Sequence, residues 1–477
     1  MRERQLHFLL LLSVWLCASC SSGGTPREYG SARPAGAPVA ETPATWTAYF
    51  GSHDRPVEWA RSIRGIGRGL TGLLPEAENL REAHERLTAS AGTLLGRYDL
   101  VIPVGGLASA KDADEAVAFL RQVESDGGRA WKQAVSDQAI LVGELSAGKG
   151  HVYWQVGNEI NSRDQSRAAR LLAGGSAYGR RDDPAVIPRY VEYYLAPTVE
   201  GLRRARDSLG GEARLHIALG SIATSSRRGA REWLDELLRY EVRGAYAPQL
   251  AGSKVYELVD VIAIHYLVTE DDDSWREILT GLYDSWVETG LVQGLWATEE
   301  LGRRRATNSL GAATTLRVAS RYISWWRDAS IEPKQSRVFF WGWRMGTPGT
   351  QGGEGMQTLY DFFGETALAD LRDVTVTASD EVEVYAFQSV NDRDHRALVI
   401  ATSEGSGSVK IRRIGLGADG WRSPDSARLH VFNREGHKVE EISATREGLE
   451  YRFTFPVDLR LPRPSAVILT IEHAQAN

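Results

Sequence analysis

Cysteine is nearly absent: the 477 residues hold 2, Cys17 and Cys20, both within the first twenty positions. Nothing beyond them can be disulfide-bonded or thiolate-ligated, which excludes a stapled or zinc-thiolate fold. An excess of positive charge is missing too. With 56 Lys+Arg against 62 Asp+Glu the formal net charge is -6, so the chain lacks the basic footprint that nucleic-acid binding needs. No apolar run approaches the ~20 residues of a membrane-spanning helix. No repeat with a period of roughly 20–50 residues is apparent. No His/Asp/Glu cluster has metal-ligand spacing, and Gly65-x-Gly67-x-Gly69 does not open a helix as a phosphate loop must, so neither metal nor cofactor is expected.

What is there is an ordinary globular composition, 42% hydrophobic and 25% charged, with tryptophan over-used at 14 residues. The length allows roughly three domains, or one large barrel with a smaller partner. At the start, Arg2 and Arg4 precede a short apolar run, Phe8–Leu16, and then small residues, which reads as a secretory signal over 1–20. Ala18-Ser19-Cys20 resembles a bacterial lipobox, although Cys17 stands where Leu is usual. That resemblance implies lipid attachment at Cys20, tethering to a membrane surface without spanning it, and residence in the bacterial cell envelope. With an ordinary cleaved signal the protein would be secreted or periplasmic. Residues 21–45 are rich in Ser, Gly, Pro and Ala and read as a flexible linker.

From 46 to 370, short apolar runs alternate with amphipathic stretches. Leu100–Val104, Val152–Val156, Leu215–Leu219, Val261–Ile264, Leu295–Ala297 and Val338–Trp341 read as strands buried on both faces. Asp112–Glu124, Trp131–Leu145, Gly229–Val242, Trp275–Glu288 and Ala312–Asp328 read as the intervening helices. The rhythm fits an α/β fold, a (β/α)8 TIM barrel, with strand 1 near Trp46–Phe50 and strand 2 near Arg64–Leu70. Over 373–477 the segments are short, alternating and turn-bounded, which predicts a C-terminal antiparallel β-sandwich.

In such a barrel the reactive groups stand at the C-terminal ends of the strands. Strand 4 ends Gly157-Asn158-Glu159, and strand 7 ends Trp296-Ala297-Thr298-Glu299-Glu300-Leu301-Gly302. These two motifs resemble glycoside hydrolase clan A, with sub-patterns similar to families 39 and 5. The resemblance covers strands 3 to 8 and the domain order. It implies a retaining glycosidase acting on a β-linked oligo- or polysaccharide, with Glu159 as acid/base, Asn158 on the sugar 2-hydroxyl and Glu299 as nucleophile. Glu300 is the alternative nucleophile, because the clan's Thr-Glu-x-Gly becomes Thr-Glu-Glu-Leu-Gly here. His265-Tyr266, ending strand 6, is similar to the clan's His-x-Tyr neighbourhood that lines the site. The alternative reading of His265 is a satisfied core residue at a buried strand end. Trp341 and Trp343, after strand 8, stand where the clan places a sugar platform, and Trp154 and Trp296 are expected to border the same site. The clan's strand-2 Arg has only Arg64 and Arg68 as candidates.

Asp271–Asp273 and Arg303–Arg305 follow strands 6 and 7. They read as solvated or mutually paired loops, with a grip on uronate carboxylates as the sharper alternative. Two further functions stay open at this level: a non-catalytic surface glycan-binding or scaffold protein on a degenerate barrel, and transglycosylation by the same two glutamates.

Overall fold

The computed structural model describes most of 99–340, leaving out 106–112, 147–150, 162–181, 211–213, 224–226, 271–273, 301–308 and 333. It also describes 27–29, 50–52, 65–67 and the strands given below between 368 and 473. Strand β1 is Arg27–Tyr29. Then come β2 (Phe50–Ser52), β3 (Gly65–Gly67) and β4 (Asp99–Pro103). Helices α1 (Ala113–Asp126) and α2 (Arg129–Ser146) lead to β5 (Val152–Val156). Next are α3 (Val186–Tyr190), a π-helical turn at Val191–Leu195, α4 (Ala196–Leu209) and β6 (Leu215–Leu219). Helix α5 (Arg228–Arg239), β7 (Val261–His265), α6 (Leu267–Glu270), α7 (Trp275–Tyr283) and β8 (Gly294–Glu300) follow. The series ends with α8 (Ser309–Asp328) and β9 (Ser336–Phe340).

Strands β2 to β9 close into a parallel barrel in sequence order, with β2 also pairing β9. All five residues of β5 and of β7 are buried, as a parallel sheet covered on both faces requires. The helices hold their side of the bargain by periodicity. In α5 the buried set is Ala230, Trp233, Leu234, Leu237 and Leu238, one apolar stripe at helical spacing, and the extended backbone of Tyr240 ends the helix. Burying each of the three leucines contributes about 1.5–3 kcal/mol.

Tryptophan fills both layers. Trp296 lies inside the barrel with Val101, Tyr153, Ala218, Val261 and Phe339, its ring 4.3 Å from that of Tyr153. Trp154 faces the opposite way, among the barrel-to-helix contacts with Trp131, Trp233, Trp275, Trp286, Trp325 and Trp326. The expectation that Trp154 and Trp296 border the site is therefore corrected. Both are fully buried packing residues, which accounts for much of the tryptophan excess.

Beyond the barrel come β10 (Leu368–Asp370), β11 (Arg372–Ala378), β12 (Val382–Ser389), β13 (Arg396–Ser403) and β14 (Gly407–Gly415). They are followed by β15 (Pro424–Asn433), β16 (Gly436–Ile442), β17 (Thr445–Arg446), β18 (Arg452–Leu461) and β19 (Ser465–His473). These form two antiparallel sheets, ordered β1-β11-β14-β18-β17 and β10-β12-β13-β19-β15-β16. Two details differ from the sequence reading. Arg27–Tyr29, inside the segment read as a linker, pairs with β11, and β10 lies before 373 yet pairs with β12. The chain uses edge pairing to satisfy backbone groups that composition alone left unassigned. The second sheet meets the barrel through Arg321 of α8, which is buried, donates to the Glu383 carboxylate of β12 and stacks on Trp275. No described helix is long and apolar enough to cross a membrane.

Candidate active site

The C-terminal ends of β5, β7 and β8 converge on three side chains: Glu159, His265 and Glu299, exposed by 1%, 0% and 4%. One carboxylate oxygen from each glutamate and one imidazole nitrogen all lie within 4.8 Å of one another. His265 Nδ1 is 3.2 Å from Glu159 Oε1 and 3.6 Å from Glu299 Oε2. Its Nε2 is 3.1 Å from Thr298 Oγ1. Tyr266 donates its hydroxyl to Glu299 Oε2 at 2.5 Å, and its backbone N–H donates to the Glu299 carbonyl at 2.9 Å. The two readings of His265 are thus both satisfied: it is fully buried, and it touches both acids.

The choice between the adjacent glutamates follows from a break in strand register. Along β7 and β8, Ile264 pairs with Ala297 but His265 pairs with Glu299, and on the other edge the register slips between Ala297 and Glu300. A bulge of this kind re-aims side chains at the end of a strand. Glu299 is turned to the barrel mouth. Glu300 is turned to the helices, where its Oε1 accepts from the Val268 N–H at 3.2 Å and from the Tyr322 hydroxyl at 2.8 Å. Burial, with Glu300 beside it, pushes the Tyr322 phenol well up, so it stays a donor. The doubled Glu-Glu motif therefore supplies one acid to the site and one to the wall behind it.

The turn that carries Asn158 and Glu159 is held in an unusual shape. Glu159 has φ 47 and Tyr266 φ 54, a left-handed backbone that costs non-glycine residues about 1–3 kcal/mol each. Gly157 precedes with φ 101, and a Cβ there would meet Ile160 at 2.7 Å. A Cβ on Gly220, at the end of β6, would stand 2.4 Å from the Val156 carbonyl oxygen, so that approach requires glycine. Neighbouring groups stabilise the strained turn. The Glu159 N–H donates to Ser221 Oγ at 2.9 Å, Ser221 Oγ donates to Asn158 Oδ1 at 3.1 Å, and the Ile160 N–H donates to the Ser221 carbonyl at 3.0 Å. Beneath it, Tyr190 donates to the Val156 carbonyl at 2.6 Å and Tyr194 to the Val104 carbonyl at 2.8 Å. The π turn spans 191–195, between and around these two tyrosines, and π turns often mark functional positions.

The arrangement offers two carboxyl groups and an imidazole at hydrogen-bonding range in a buried mouth. It can exchange a proton, attack a carbon centre or hold a cation. The three potential ligands come from three strands, which is why sequence spacing showed no metal cluster. Of the residues predicted from sequence, Glu159, Glu299, His265 and Tyr266 come together, Asn158 stands beside them half-buried, and Glu300 turns away. Trp341, Trp343, Cys20, Arg64, Arg68, Asp271–Asp273 and Arg303–Arg305 lie outside the described residues. Sequence reasoning missed Ser221 and Thr298. The usable signal for Ser221 was a polar residue just past the apolar run Leu215–Leu219.

No family model matches the chain, and no curated protein matches it. Several solved structures are similar to it. A GH30 endoxylanase from Clostridium papyrosolvens C71 is 12% identical, covering 90% of this chain and 97% of its own, with a TM-score of 0.30. A psychrophilic family 10 endo-beta-1,4-xylanase is 11% identical, covering 62% and 86%, with a TM-score of 0.36. A rhamnosyl-glucuronidase from Fusarium oxysporum 12S is 10% identical, covering 90% and 97%, with a TM-score of 0.33. At these scores the neighbours support nothing about activity, which rests on the side chains themselves.

Proposed function

We propose that the protein is a retaining glycoside hydrolase that cleaves a β-linked oligo- or polysaccharide by double displacement. The observation that carries this is that one carboxylate oxygen of Glu159 and one of Glu299 lie within 4.8 Å of each other at the ends of β5 and β8. Retaining chemistry needs its two carboxyl groups about 5–5.5 Å apart, whereas an inverting pair stands roughly 6.5–9.5 Å apart to admit a water. Glu159 protonates the leaving oxygen while Glu299 attacks the anomeric carbon. Glu159, now a carboxylate, then takes a proton from the water that releases the sugar. The roles divide by surroundings. Glu299 accepts a short bond from Tyr266, which favours an ionised attacking oxygen, while Glu159 lies against His265 Nδ1 at 3.2 Å. Asn158 positions the sugar 2-hydroxyl, and Trp341 and Trp343 are read as its stacking platform. Cys20 is the proposed lipid site, with the protein held at the bacterial envelope, and the two antiparallel sheets form an accessory sandwich, built mainly from 373–477 and joined by β1 and β10.

The test is turnover of 4-nitrophenyl β-glucoside, xyloside, mannoside and glucuronide and of the matching polysaccharides by wild type, Glu159→Gln and Glu299→Gln. Release of reducing ends by wild type alone supports the reading. Binding without release across the set favours the glycan-binding alternative, and products longer than substrate favour transglycosylation. The Glu159–His265–Glu299 convergence supports one other reading, a cation-dependent hydrolase. Activity lost on chelation and restored by a transition metal would select it.

A further inference from the structure

We infer that Ser221 is a positioning residue that fixes which way the Asn158 amide faces, and so makes the site selective for a substrate bearing a hydroxyl beside the scissile bond. The inference rests on the glycosidase reading above and adds a residue that no motif contains. Ser221 is fully buried at the end of β6 and has one hydroxyl proton to give. Its oxygen accepts the Glu159 N–H at 2.9 Å, and its proton goes to Asn158 Oδ1 at 3.1 Å. An amide whose oxygen is held in this way can turn only its Nδ2 toward the mouth, where Asn158 is partly exposed while Glu159 is buried. The mouth therefore presents an N–H donor beside the acid, and a donor there selects an oxygen acceptor on the substrate.

The same hydroxyl reaches the strained point of the turn. Glu159 sits at φ 47, and its N–H would lose its partner in a buried place without Ser221 Oγ. The Ser221 carbonyl holds the next residue through the Ile160 N–H at 3.0 Å. One serine thus ties the amide that reads the sugar to the backbone of the acid that protonates it. Small misplacement of either group is expensive in rate, because reacting atoms must be held near contact distance.

The experiment is Ser221→Ala, studied in two arms on the full chain. Crystal structures of wild type and variant are compared first. The expected result is an Asn158 amide rotated or spread over two rotamers, and an unchanged Asn158 overturns the inference whatever the enzyme cleaves. Kinetics follow on the 4-nitrophenyl β-glycoside turned over best and on its 2-deoxy counterpart. Ser221→Ala is expected to lower kcat by about 10–100-fold on the hydroxylated substrate with KM within roughly threefold, and to cost about tenfold less on the 2-deoxy substrate, where only the hold on Glu159 is felt. An equal loss on both substrates makes Ser221 a merely structural residue and overturns the proposal. If no glycoside is cleaved, the functional reading fails, and the crystallographic arm still decides the role of Ser221.

Discussion

The two ends of the barrel are built from the same strands and teach opposite lessons. At the C-terminal end, Glu159 and Tyr266 sit in left-handed backbone, a bulge interrupts β8, and two acids share one imidazole. At the N-terminal end Asp99, His151, His216 and Arg337 are paired with one another, and none of them has a positive φ. Asp99 binds Arg337 at 2.8 Å and the His151 N–H at 2.9 Å. His151 Nδ1 meets His216 Nε2 at 2.8 Å, and Tyr153 stacks on His216 at 4.6 Å. The Arg337 guanidinium lies 4.2 Å from the Trp296 ring centre. Burial lowers the His151 pKa and brings His216 down to about 4, while it raises the Tyr153 phenol to about 12. The lower end is held neutral or ion-paired, whereas the upper end gathers two carboxyl groups and an imidazole on left-handed backbone, an arrangement that stability alone does not require.

The contrast breaks first at the glutamates. Glu159→Gln and Glu299→Gln are expected to lower kcat by at least about 10³-fold with Tm unchanged or raised, since each removes a buried acid from a strained site. Steady-state kinetics beside thermal unfolding check both halves. Activity retained in either variant would place the chemistry elsewhere.

Arg337→Met should do the reverse. It leaves Asp99 without its ion pair at a nearly buried place, so stability falls by about 3–5 kcal/mol in denaturant titration while kcat per folded molecule holds. A fall in kcat without a fall in stability would mean that the two ends are not separable.

The paired histidines sharpen the comparison through pH. Folded His216 takes its proton only near 4, whereas the unfolded residue takes it near 6.5. Its contribution is therefore complete above 6.5 and is lost as pH falls toward 4, by on the order of 3 kcal/mol. His216→Gln should flatten the fall of Tm across that window, and an unchanged slope would remove His216 from the account.

The smallest effect belongs to Glu300→Gln, whose Oε1 accepts from Val268 and Tyr322 on the helix side. It should lower stability by about 1–2 kcal/mol with kcat within roughly tenfold of wild type. A loss matching that of Glu299→Gln would move the nucleophile.

Much of this was legible in the sequence where local pattern and global fold agree. Continuous apolar runs marked β5 and β6 to the residue, and strand-tip motifs marked Glu159 and Glu299. Legibility failed where a side chain's direction depends on a neighbouring strand. The Glu299 or Glu300 choice turns on a one-residue slip against β7 and β9, invisible in a linear motif. Trp296 was misplaced for a related reason: its alternation points it into a packed barrel layer, not to the mouth. Ser221 was missed because its importance lies in two hydrogen bonds to a turn 62 residues away. The pairing of Arg27–Tyr29 with β11 likewise depends on a partner no local composition announces.

The carboxyl approach at the upper end is tested most directly by proton NMR of the first product released from a cleaved β-glycoside. A pair of carboxyl groups whose nearer oxygens approach within 4.8 Å predicts the β anomer first, with the α form appearing only as the sugar mutarotates. The α anomer as first product would contradict double displacement and with it the role given to Glu299.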